Sequence, residues 1–302
     1  MKSLFLSAGI ILLFQLGSIG KSMAQKNQPK SSDLKDANGQ PMLLGQHKME
    51  DLLEPPYNTW FEKNYADYAL DSITAQTIAP LLKNKKLELF MGTWCGDSQR
   101  EIPRIFKILH YCGVSSSQIT LIMVDDHDNT YKQSPAHEEK GKNIFRVPDL
   151  IIYENNKEVN RIVEYPVVSL EKDLLTMLNK QPYTPSYKGA ALLINSIKNK
   201  NGTNSPERIK YLAELIRVKT ESSSELNALG YVWFASGEKD NALTAFLVNA
   251  ILYPTVFNVF DSLGEYYFKQ GNKEEAKRYY SKVLTIDPLN ANAKKMLEQL
   301  SK

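Results

Sequence analysis

The chain has 302 residues, 42% hydrophobic and 24% charged, with a formal net charge of +3. That length sets two domains as a first expectation, and that composition supports packed cores rather than a disordered chain. The small charge, with no zinc-finger spacing and no glycine-rich phosphate loop, gives no sign of a nucleic-acid partner, a metal or an organic cofactor.

Lys2 precedes an apolar run from Leu4 to Leu16, and the small residues Ser22 and Ala24 stand before Gln25. A basic start, a short apolar core and small residues at that spacing read as a secretory signal peptide over 1–24. The run is shorter than the ~20 residues that cross a bilayer, and no cysteine lies near the cleavage point to carry a lipid. The mature chain is expected to be exported, to a bacterial periplasm, with no integral membrane segment. Loss of Lys2 and Lys21 takes its charge from +3 to +1. Residues 25–48 are polar and aperiodic and read as a flexible lead-in.

A first domain is expected over 49–181. Residues 72–82 read as a helix with Ile73, Ile78, Leu81 and Leu82 on one side. Leu87 to Met91 reads as a strand, Ser98 to His110 as an amphipathic helix containing Pro103, and Ile119 to Val124 as a buried strand. Strand, helix, strand in that order predicts a parallel unit with a right-handed crossover. Pro103 removes one backbone bond and should kink its helix. Asp125-Asp126-His127-Asp128 reads as a solvated loop rather than a metal site, because adjacent residues do not supply a fold-fixed geometry. His137-Glu138-Glu139 reads as an exposed segment. After Val147-Pro148-Asp149, Leu150 to Tyr153 and Val159 to Val163 read as a hairpin turning at Asn155-Asn156, two residues that accept positive φ. Ser169 suits the N-cap of a helix over Leu170 to Leu178.

Cys95 falls where the first strand gives way to the helix. Unpaired N–H groups and the helix dipole favour negative charge there, so a thiolate, the reactive form of cysteine, is stabilised. Cys112 lies beyond the other end of that helix, about 21 Å away at 1.5 Å per residue. A disulfide needs Cα atoms within about 7 Å. Two free thiols are expected, with Cys112 a half-buried structural residue.

The stretch Trp94-Cys95-Gly96-Asp97-Ser98, the proline inside the following helix, and Val147-Pro148 before a hairpin and a closing helix resemble the thioredoxin family, over about 51–180. The resemblance implies an α/β thioredoxin-like fold, a mixed sheet flanked by helices. It implies a cis Pro148 facing Cys95 across a groove shaped by Trp94 and Val147, and it places Cys95 and Ser98 in the catalytic positions. Three residues depart from the family. Ser98 stands where the resolving cysteine belongs, so the usual release of a mixed disulfide is missing; its hydroxyl can donate to the Cys95 thiolate. Leu89 stands where many members carry a buried acid, and Glu88 points to the other face of the strand. Asp97 puts a negative charge beside the thiolate.

Gln181 to Pro185 reads as a linker, and an all-α domain over 182–302 follows. Gly189–Lys198 and Pro206–Lys219 are helical by spacing, with a turn at Asn201 to Asn204. Leu229-Gly230, Trp233, Gly237, Ala242, Phe246 and Pro254 recur 34 residues later as Leu263-Gly264, Tyr267, Gly271, Ala276, Tyr280 and Pro288. This spacing resembles the tetratricopeptide repeat, with units at 223–256 and 257–290 and a capping helix at 291–302. Asn249 and Val283 depart from its usual alanine. The Gly189–Thr220 helices would act as an irregular first pair, and Tyr266, Tyr267, Tyr279 and Tyr280 as packing residues.

Two main readings of function stay open, beside a third in which the first domain is a residual structural copy with no chemistry. In one, the chain is an exported monothiol thiol-disulfide exchange protein lacking a resolving cysteine. It acts on protein or peptide clients that the repeat recruits, with a small thiol as a reductant. In the other it is a non-catalytic adaptor whose repeat holds partners.

Overall fold

The structure, a computed structural model, describes residues 34–198 and 204–302. The expected leader, the lead-in as far as residue 33 and most of the turn at 201–204 lie outside the described residues.

The first strand, β1 (Gly45–His47), sits in the segment expected to be a flexible lead-in. It pairs antiparallel with a central strand, and Met42 and Leu43 just before it are buried. The expectation fails for residues 34–48 because those two apolar side chains, and backbone pairing, tie the segment to the sheet. A short 3-10 turn leads into α1 (Asn58–Asp67) and α2 (Ser72–Ile78). The expected single helix over 72–82 is α2 followed by a 3-10 turn at Ala79–Leu82, which carries Pro80 near its start. Its buried side is Ala75, Ile78 and Leu82; Ile73 is 79% exposed. Two residues from Ala75 is just over half a turn of helix, which puts Ile73 on the far face.

Then come β2 (Lys85–Met91), α3 (Gly96–Tyr111), β3 (Ile119–Met123), β4 (Asp149–Glu154), β5 (Lys157–Val163) and α4 (Leu170–Leu178). The sheet order is β1-β3-β2-β4-β5. β2 and β3 run parallel, as the strand–helix–strand reading requires; the other neighbours are antiparallel. Asn155 and Asn156 turn the β4–β5 hairpin with φ of 51° and 60°. Ser169 caps α4 by accepting from the Lys172 N–H. α3 runs unbroken through Pro103. The carbonyl that Pro103 cannot pair, that of Gln99, accepts from Asn64 Nδ2 on α1 at 3.1 Å instead.

Alternation along the strands sorts the core. Leu87, Leu89 and Met91 join Leu121, Leu150 and Ile162 beneath α3, α4 and the preceding helices. Phe90, Ile122 and Ile151 face the other way, against Ile144 and Val147 of the long segment 124–148. Among the described residues, no buried residue of that second cluster comes from an α-helix.

The linker packs: Tyr183 donates its hydroxyl to Asp173, and its carbonyl accepts from Asn160. After it, α5 (Lys188–Lys198) and α6 (Pro206–Ile216) form the expected first pair. α7 (Ser223–Ala235) pairs with α8 (Lys239–Leu252), and α9 (Phe257–Lys269) with α10 (Lys273–Ile286); α11 (Ala291–Leu300) closes the array. Gly230 and Gly264 explain the 34-residue echo. A Cβ at Gly230 would lie 2.5 Å from the Phe246 ring, and one at Gly264 2.8 Å from that of Tyr280. Each glycine lets its helix approach the aromatic of the next. One core runs through all these helices and continues into Phe145 and Val163 of the first domain.

Candidate functional site

β2 ends at a turn in which the Cys95 N–H bonds the Gly92 carbonyl at 3.0 Å. Cys95 is the N-cap of α3, in extended conformation, and its carbonyl takes the Gln99 N–H at 2.9 Å. The sulfur therefore sits at the positive end of a sixteen-residue helix. Trp94 folds back over Gly92, where a Cβ would come within 2.3 Å of the indole. Its Nε1 donates to the Val124 carbonyl at 2.9 Å. Leu43 of the lead-in donates its N–H to Thr93 Oγ1, so the N-terminal segment braces the same turn.

Across from Cys95 lies the Val147–Pro148 peptide, which is cis. Cys95 Sγ donates to the Val147 carbonyl at 3.3 Å. The structure thus brings together Trp94, Cys95, Val147 and Pro148. Ser98 differs from expectation. It is fully buried, and its Oγ accepts from the Gly92 N–H at 3.3 Å rather than donating to Cys95. One turn into α3, its side chain points back under the strand end, where the free N–H of Gly92 is the available partner. Asp97 is paired with Arg100 at 2.8 Å, so its charge is matched within the helix. Leu89 lies in the core beneath α3, while Glu88, on the opposite face, accepts from Lys142 and Tyr153. Both cysteines are free thiols. Cys112 donates to the Ala75 carbonyl, and burial, with Glu171 nearby, pushes its thiol up.

Several polar groups around the groove carry no motif, and sequence reasoning passed over them. Lys132 is buried with its Nζ 4.1 Å from the Tyr131 ring centroid and 5.1 Å from that of Trp94. Glu164, at positive φ, donates its N–H to the Pro148 carbonyl at 2.7 Å. Its carboxylate accepts from the Tyr187 hydroxyl and faces Arg146 at 3.6 Å; burial pushes its carboxyl up, against the pull of Arg146. Asp149, next to Pro148, is fully buried. It meets Arg161 at 3.1 Å, but its Oδ1 has no partner. Burial pushes this carboxyl up to about 6, with Arg161 pulling the other way. The signal available for this pair was the alternation of the hairpin, which puts both acid and base on the sheet face that carries Phe90 and Ile151.

Segment 124–148 is a scaffold built from the acids that looked solvated. Asp125 accepts from the N–H groups of Asp126 and His127 and from Thr130 Oγ1. Asp126 takes the Ala37 N–H. The oxygens of Asp125 and Asp126 and a ring nitrogen of His127 lie within 4.8 Å of one another, and these hydrogen bonds make the trio a loop brace. Glu139, expected to be exposed with its neighbours, is buried and receives the N–H and hydroxyl of Ser134. Further along, Asn143 accepts from Trp233 Nε1 at 2.8 Å, Phe145 packs edge-on against Tyr187, and Arg146 donates to the Ser224 carbonyl at 3.0 Å. The segment that ends in Val147-Pro148 is therefore held between the sheet and α7.

Residues 257–290 match the tetratricopeptide repeat family model. No curated protein matches the chain. The match falls on α9, α10 and the turn after them, the second of the two units expected from the 34-residue echo. Repeats of this kind are protein-interaction modules, so the helical domain speaks for protein partners. Among the described residues no helix is long and apolar enough to cross a membrane.

Proposed function

We propose that this is an exported thioredoxin-like protein in which Cys95 exchanges disulfides with client proteins as a single thiol. The observation that carries the reading is the placement of Cys95 Sγ at the N-terminus of α3, 3.3 Å from the Val147 carbonyl and beside Pro148. The sheet order and the hairpin after Pro148 fit the same reading. The Cys95 thiolate attacks one sulfur of a client disulfide; a Cys95–client disulfide forms, and the other client sulfur leaves as a thiolate that takes a proton from water. A second client thiolate then attacks the client sulfur of the mixed disulfide, and Cys95 leaves as thiolate. Electrons balance within the client, so the cycle rearranges disulfides without an external oxidant or reductant. Alternatively a small thiolate attacks the Cys95 sulfur of the mixed disulfide and releases the client as a dithiol. A second small thiolate then attacks the small-thiol sulfur of the Cys95 mixed disulfide, freeing Cys95 as thiolate and leaving the oxidised small-thiol disulfide. Two small thiols thus supply the two electrons that reduce the client.

The adaptor reading draws support from Ser98, a buried hydroxyl that accepts from the Gly92 N–H and cannot form a disulfide, and from Cys112, whose thiol donates to the Ala75 carbonyl. Under it the groove holds partners without chemistry. Refolding of a scrambled-disulfide protein by catalytic amounts of wild type and Cys95→Ser separates the two. Turnover by wild type that Cys95→Ser lacks, together with mixed disulfides trapped only by wild type, supports exchange. Equal partner binding by both proteins, with neither turnover nor trapping, supports the adaptor.

A further inference from the structure

The two ends of the helical array treat water differently. At the C-terminal end, α11 turns Asn292, Lys294, Lys295, Glu298 and Gln299 outward, the polar outer face that a terminal helix of a stacked array needs. The first pair does not. α6 buries Ile209, Leu212, Ala213 and Ile216 in the shared core. On the opposite face it carries Tyr211, Leu215 and, in the turn that continues it, Val218, exposed by 62%, 40% and 85%. Spacings of four and three residues keep these side chains on one stripe. A helix apolar on both faces is normally buried on both.

We infer that this stripe is the contact between two copies of the chain, paired antiparallel through α6. A two-fold interface must be complementary to itself, and Glu207 and Lys219, which flank the stripe at its two ends, meet that condition. Glu207 stands near the N-terminal end of the stripe and Lys219 past its C-terminal end, and among the described residues neither has an ion-pair partner. The other charges near the C-terminal end cancel locally, since Arg217 is paired with Glu214 at 2.8 Å. With the two-fold axis at Ala213, Tyr211 of one copy lies over Leu215 of the other, because both are two residues from the axis. Glu207 of one copy then meets Lys219 of the other, both six residues away. A parallel pairing would instead put Glu207 beside Glu207 and Lys219 beside Lys219.

Sedimentation velocity on the full chain tests this, at concentrations up to roughly 100 μM, where a micromolar interface is well populated. Wild type should be a dimer that weakens with salt. Leu215→Glu should be a monomer with unchanged circular dichroism, and its melting temperature should match that of wild type at dilutions where wild type is also monomeric, since the side chain is exposed within one copy. Glu207→Lys should weaken the dimer, and Glu207→Lys combined with Lys219→Glu should restore it. Wild type monomeric at the highest concentration, or a dimer unmoved by Leu215→Glu, would overturn the inference. So would a monomer whose α6 stripe is protected in hydroxyl-radical footprinting, which would give the stripe to another segment of the same chain.

Discussion

At position 98 a buried hydroxyl supplies a hydrogen-bond acceptor under the strand end. Ser98→Ala would leave the Gly92 N–H buried without its partner, an omission that costs about 1–3 kcal/mol. Denaturant unfolding should show that loss, with trapping by Cys95 unaffected if the hydroxyl serves only the turn. Asp149 makes a second claim at this scale. Its carboxyl protonates near its ordinary value in the unfolded chain and at about 6 in the folded one. Between those values the folded state holds more protons, so the group's contribution falls as pH rises through the window and is flat above it. Wild type should therefore lose stability relative to Asp149→Asn as pH is raised from about 4 to about 6, on the order of 3 kcal/mol in total. A difference that does not vary over that interval would show that Arg161 holds Asp149 ionised throughout.

Elements with their own periodicity were legible in the sequence. β2, α3, the β4–β5 hairpin and the paired helices of the repeat stand where alternation, helical spacing, Asn155-Asn156 and the 34-residue echo put them. The glycines of that echo carry a prediction. Gly230→Ala and Gly264→Ala each push a methyl into an aromatic ring of the facing helix, so each should lower stability by about 1–3 kcal/mol, read as a lower melting temperature. Trimming Phe246 to Leu in the Gly230→Ala background should recover part of the first loss. Segment 124–148 was not legible for an equally physical reason. Its order comes from side chains bonding to backbone, at Asp125, Asp126 and Glu139, and from a clasp by Trp233 and Ser224, about 80 to 90 residues away. None of this leaves a period in the sequence, and polar residues serving as braces have the composition of a solvated loop. β1 was missed because three residues are too few to show alternation.

For the molecule as a whole, the boundary at the linker divides the sequence more sharply than it divides the core. Phe145 and Val163 belong to the hydrophobic cluster of the helical domain, and Tyr187 bonds Glu164 across the junction. The two parts should therefore melt in one calorimetric transition. A chain ending at residue 181 would expose those apolar groups and should bind a hydrophobic dye and aggregate. Two separate transitions, or a well-behaved truncated chain, would show the junction to be a weak contact.

The clasp on segment 124–148 has one more consequence. Val147 and Pro148 are covalently continuous with Arg146 and Asn143, which α7 holds through Ser224 and Trp233. A partner that shifts α7 would act on the carbonyl facing Cys95 through these bonds. By linkage the effect runs both ways: if occupation of the helical array changes a client's affinity at Cys95 by some factor, the client changes the array's affinity for its partner by the same factor. Trp233→Phe, which deletes the bond to Asn143 and leaves a smaller aromatic ring in its place, should bring that factor toward one while leaving each affinity measurable alone.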